Sequence, residues 1–175
     1  MTVLADWDDV SCHQQFMSHP DHQELTDALM AVSAGDVQMF HTSLRLGTGT
    51  TASPVKMGGP IDMVMGLFPL KDIGDLIQRW SASEAGTPSD VAVQAKAYAS
   101  GWSMEDGSFW SDDLKEVERA GRGREKVWIA IYNWGDSETQ NKARAAGIVE
   151  SQTEWIVKAG GERQIEQMVM SDYSE

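Results

Sequence analysis

The sequence predicts an α+β protein, and two observations carry that reading. A short apolar strand ends near a tryptophan, enters an acid-led turn, runs into a helix and returns through a Gly-acid turn to a second strand. This pattern occurs twice, in Val3–Leu44 and in Ile129–Met170. Trp7 aligns with Trp134, and the Gly35-Asp36 turn aligns with Gly161-Glu162. Residues 61–171, read by apolar periodicity, also run β-α-β-β-α-β. Fixed self-similarity of this kind points to two related halves.

The elements follow in order. Residues 1–6 read as a strand and 9–17 as a short helix. Pro20 is tolerated in a first helical turn, and Leu25, Leu29 and Val32 recur at helical spacing, so 20–33 is a second helical piece. Gly35 ends it, and 37–44 (VQMFHTSL) alternates as a strand. Gly47–Pro60 is rich in glycine, threonine and proline and reads as a linker or extended arm. Ile61–Leu67 is a strand. Residues 72–84 form a helix with Ile73, Leu76, Ile77 and Trp80 on one face. Small and apolar residues alternate through 91–104, as in a strand. Residues 105–125 are polar loop, with a helical turn near Leu114–Ala120. Lys126–Trp134 is a strand, 137–158 a helix with a break at Gly147, and Arg163–Met170 the last strand.

The division is therefore 1–46 as a partial repeat, 47–60 as linker or arm, and 61–175 as one full unit. The full unit has the ferredoxin-like order, in which the last two strands are separated by the first. The partial repeat, β-α-β, lacks that first strand, so the arm or a partner chain is expected in the slot.

Composition narrows the function classes. The 175 residues include 41% hydrophobic ones, enough for a core. No apolar run of about 18 residues predicts a membrane span, and MTVLADWDDV does not read as a signal peptide. Cys12 is the single cysteine, which excludes an internal disulfide and fits a reducing, cytoplasmic setting. A net charge of −13 repels phosphate backbones and anionic membranes, so neither is an expected partner.

WDDVSCHQQFMSHPDHQELTDAL (7–29), with its Trp, His, aromatic and SHP break, resembles the antibiotic biosynthesis monooxygenase-like group of the dimeric α+β barrel superfamily. WGDSETQNKARAAGI (134–148) is a weaker copy. The resemblance implies ferredoxin-like units with sheets face to face in a barrel, and hence a homodimer or a duplicated chain. It also implies a pocket between sheet and helices. The activity implied is oxygenation of an aromatic or polyketide-like compound without metal or flavin. Cyclase, isomerase or dehydratase chemistry and ligand sequestration are its alternatives.

All four histidines fall within residues 13–41. Matching the copies sets His13 opposite Gln140 and His41 opposite Gln167, so one half carries ionisable rings where the other carries amides. His41 and His13 are therefore the candidate acid–base residues; the alternative is a core or interface His41 and a helix-surface His13. His19 and His22 flank a helix break at a spacing that suits no metal motif, and no cofactor motif is present. Trp128, Tyr132 and Trp134 alternate along one strand and line one face of the sheet. With Trp7, Trp80, Tyr98 and Trp102 they form either a wall for a planar apolar ligand or plain core. The adjacent acids Asp8-Asp9 are expected to start a helix rather than catalyse.

Overall fold

Four alternating apolar stretches are realised as strands of one sheet. A computed structural model describes residues 9–32, 40–47, 49–70, 73–82, 95–104 and 125–170. The chain divides into two compact units, Met1–Met39 and Phe40–Glu175. The expected strand 1–6, Trp7 and the turn near Leu114–Ala120 lie outside the described residues.

The first unit holds α1 (Val10–Met17) and α2 (Pro20–Val32). Asp9 caps α1: its Oδ1 accepts the Cys12 N–H at 2.9 Å, the helix-starting role expected of that acid. Pro20 opens α2. At the break between them Phe16 meets the His22 ring edge-on at 5.6 Å.

The second unit runs β1 (Arg45–Leu46), β2 (Gly59–Pro69), α3 (Gly74–Ala82), β3 (Ala97–Trp102), β4 (Glu125–Asn133), α4 (Ser137–Ala145), α5 (Ile148–Lys158) and β5 (Glu162–Met170). The sheet order is β1-β3-β4-β2-β5, with every pair antiparallel. β2 lies between β4 and β5, as expected of the first strand of a β-α-β-β-α-β run. The architecture is α+β, and its order is compatible with a ferredoxin-like unit. The expected break at Gly147 is present: this residue sits at φ 63° between α4 and α5, a backbone region in which a side chain is strained.

The register sorts the side chains. Val64 and Phe68 of β2, Tyr98 and Trp102 of β3, and Trp128, Ala130 and Tyr132 of β4 share one face. They pack with Ile73, Ala143, Val149 and Ile156 into the main core cluster. The other face is also buried within the single chain, since Ile61, Met63, Leu67, Val127, Ile129 and Ile131 are at most 5% exposed.

The strand expected at 37–44 is displaced. Of its described residues, only Thr42 makes a ladder contact, a single bridge to Ser103, and the strand itself is Arg45–Leu46 on the outer edge of β3. Gly101 permits a close approach there: a Cβ at this position would stand 2.1 Å from the Ser43 carbonyl oxygen, so only a bare backbone lets the chain pass so near β3. Gly101→Ala is accordingly expected to push this segment off β3 and cost about 1–3 kcal/mol, read as a lower urea midpoint with faster amide exchange at Gly47.

The segment after β1 is tied to the sheet. The Tyr98 carbonyl accepts the Gly47 N–H at 2.8 Å, and the Tyr98 N–H donates to Thr50 Oγ1 at 3.2 Å. The buried Asn133 amide donates to the Pro54 and Gly58 carbonyls at 2.9 and 2.8 Å.

Candidate functional site

The helix-facing side of the sheet gathers most of the aromatic residues that the alternation singled out. Tyr98 and Tyr132 stand opposite each other on β3 and β4, with ring centroids 4.9 Å apart. Trp134 lies parallel to Tyr132 at 6.0 Å. Trp102 and Trp128 form a second facing aromatic pair on that side, beyond Ser100 and Ala130. Trp80 of α3 meets Trp102 edge-on at 6.4 Å and carries the Arg45 guanidinium over its ring at 5.0 Å. Phe68 and Trp155, which the alternation did not single out, complete the wall. Trp155 stacks on Phe68 at 5.6 Å and meets Trp128 edge-on at 5.0 Å. Its signal was present in the apolar spacing of α5, where Ile148, Ile156 and Trp155 all join the core cluster.

This wall is not chemically quiet. Among the described residues, Trp102 Nε1, Trp128 Nε1 and Tyr132 Oη are buried polar atoms with no hydrogen-bond partner. Buried donors are nearly always satisfied, and each exception calls for a cause such as a bound molecule or water. Burial pushes the Tyr98 phenol up to about 12, offset in part by its polar contacts with Ser100 and Tyr132. Burial also raises Tyr132 well above the ordinary phenol range, and the neighbouring Tyr98 phenol and Asp62 carboxylate act in the same direction. The Tyr132 hydroxyl meets no partner in hydrogen-bonding geometry, so its coupling to Tyr98 is mainly electrostatic. Both phenols stay protonated at neutral pH and can donate a hydrogen bond.

One buried carboxylate adjoins the wall. Asp62 faces Tyr132 across the β2–β4 register and is 1% exposed. Its Oδ2 accepts the Trp134 indole N–H at 2.9 Å. Its Oδ1 accepts from Gln140 Nε2 at 2.9 Å and from Arg144 Nη2 at 2.8 Å. Gln140 also donates to the Ile61 carbonyl at 3.3 Å. The amide matched to His13 in the repeat is thus committed to a structural bond. Asp62 escaped the reading of the sequence, although its signal was visible: a lone acid in the apolar strand IDMVMGL.

The histidines are divided between the units. His41 is half-buried in the second, and its carbonyl accepts the Met104 N–H at 2.7 Å, which fixes its backbone just beyond the Trp102 end of β3. His13 is half-buried on α1 in the first unit. His19 is exposed and lies 3.2 Å from Asp21, as a solvated turn would have it. No three His, Cys, Asp or Glu side chains among the described residues are grouped to hold a metal ion, and no described helix is long and apolar enough to cross a membrane. No protein-family model, curated protein or solved structure matches this chain.

Proposed function

We propose that the Phe40–Glu175 unit binds a planar, oxygen-bearing aromatic molecule on the helix side of its sheet. We further propose that it acts on that molecule as a small cofactor-independent, monooxygenase-like enzyme on a ferredoxin-like, barrel-type scaffold. The observation that carries the reading is the set of three buried donors, Trp102 Nε1, Trp128 Nε1 and Tyr132 Oη, left without partners beside stacked aromatic rings. Rings recognise a planar apolar body by stacking, and the donors recognise oxygen acceptors on it. His41 is the base of this reading, since its backbone is fixed beside the same wall: it takes a proton from a phenol or an activated C–H, dioxygen adds to the resulting carbanion, and the second oxygen atom leaves as water as the oxygenated carbon becomes a carbonyl, so the substrate supplies the electrons.

The test replaces indoles without removing rings. Trp102→Phe and Trp128→Phe are each expected to weaken binding of 1-naphthol or anthrone by about tenfold, the worth of one hydrogen bond to a buried donor. Folding stability is expected to fall modestly, because the smaller ring leaves a void in the core cluster that the loss of an unpaired buried donor offsets only in part. Oxygen uptake with anthrone should fall in His41→Ala. Unchanged probe affinity in both Phe variants would sink the binding reading. Product formed equally well without oxygen would move the reaction to the isomerase or dehydratase class.

A further inference from the structure

We infer that α4 is a hinged lid over the aromatic interior, latched by Asp62. The first observation is how α4 adheres. Its only buried side chains among the described residues are Gln140 and Ala143. Gln140 is polar and spends its amide on Asp62 and the Ile61 carbonyl. Arg144, near the last turn, reaches the same carboxylate while its side chain stays 28% exposed. The neighbouring α5 adheres quite differently, through buried Val149, Thr153 and Ile156 and the Trp155 stack on Phe68. One helix is thus held by apolar area, which shifts only by repacking. The other is held mainly by hydrogen bonds to one acid, which can be exchanged for water.

The second observation is independent of the first. α4 is bounded at both ends by glycines in the left-handed region, Gly135 at φ 78° and Gly147 at φ 63°. A Cβ at Gly147 would meet nothing within 4 Å, so that joint is also sterically open. The joint before α4 has a fixed base, because Asn133 holds the Gly135 N–H with its Oδ1 at 2.9 Å. Hinges are short positions at element ends that absorb backbone rotation; Gly147 is such a position, while Gly135, packed against Lys96, forms the fixed end about which the helix would turn. Ala143 of α4 joins the core cluster that holds Tyr132 and Trp134. Trp134 donates to the other oxygen of the same carboxylate, Oδ2, and keeps that bond when Gln140 and Arg144 leave Oδ1.

The inference rests on the binding reading only for what the lid uncovers. Hydrogen exchange on the intact protein without ligand tests the lid by itself. Amides of residues 141–145 are expected to exchange at least tenfold faster than the hydrogen-bonded amides of α5. Asp62→Asn, which removes the charge, should accelerate α4 by a further tenfold relative to α5 and β3. If that variant unfolds, Arg144→Met decides instead, since it removes one side of the latch from a partly exposed position and should accelerate α4 alone. Equal protection of α4 and α5 in the natural protein, or acceleration spread evenly over the unit in Arg144→Met, overturns the lid. Either result leaves the probe-binding outcomes of the Phe variants standing, so the two readings fail separately.

Discussion

Replacing Asp62 with alanine is expected to lower the folding free energy by about 3 kcal/mol, at the lower end of the range for breaking a buried ion pair. Three donors converge on this carboxylate, and each is affected differently. The Trp134 indole N–H, in a side chain 2% exposed, is left with no acceptor. Gln140 keeps one bond, to the Ile61 carbonyl. Arg144 is partly exposed and recovers water at little cost, which is why the lower end of the range applies. Asp62→Asn should lose less, since its amide oxygen can still accept from Gln140 or Arg144, although its NH2 group then faces one of the donors. Urea unfolding measures both, with a lower midpoint and an unchanged slope as the expected result. A loss below about 1 kcal/mol for alanine would mean that desolvating the pair had cancelled its attraction; the charge of Asp62 would then be no source of stability.

The same residue shows what can and cannot be read from the chain. The strands β2–β5 and the helices were legible because alternation and helical spacing are local signals, strong enough to place even the break at Gly147. The aromatic face was legible for the same reason: Trp128 and Tyr132 are two residues apart on a strand, so they must share a side. The pairing of residues 40–46 was not. Alternation announced a strand at 37–44, but the paired strand is Arg45–Leu46, and the close approach of Ser43 to the bare backbone of Gly101, nearly sixty residues away in sequence, is reported by nothing local to either segment. Asp62 was visible as an oddity but not as a hub, because its donors come from Trp134, Gln140 and Arg144, more than seventy residues downstream. Sequence spacing constrains neighbours along a strand or helix. It says little about which distant donors a buried acid collects, and this site depends on such contacts.

Stability is expected to fall steeply as the pH rises from 10 to about 12, with the two buried phenols as the cause. A free phenol loses its proton near 10, whereas burial holds the Tyr98 phenol up to about 12. Tyr132, fully buried and facing Asp62, is displaced in the same direction. Between these limits the unfolded chain gives up protons that the folded chain keeps. The unfolded state then binds fewer protons, so the free energy of unfolding decreases with rising pH. The stability in question is fully present below pH 10 and is lost on passing through the folded value. For Tyr98 alone the displacement corresponds to about 2–3 kcal/mol, and Tyr132 adds to it with the same sign. Lysine deprotonation overlaps this window, so the comparison must be between variants. Urea unfolding across the window in the natural chain, Tyr98→Phe and Tyr132→Phe should show the slope shrinking in each variant and shrinking most in the double one. The double variant should also titrate as though no phenol had been removed until the natural protein unfolds, because neither buried ring contributes phenolate absorbance while folded. An equal slope in the double variant would mean that water reaches both hydroxyls and lets them ionise in place. The unpartnered Tyr132 Oη would then have water as its partner, and one of the three donors assigned to a ligand would be accounted for without one.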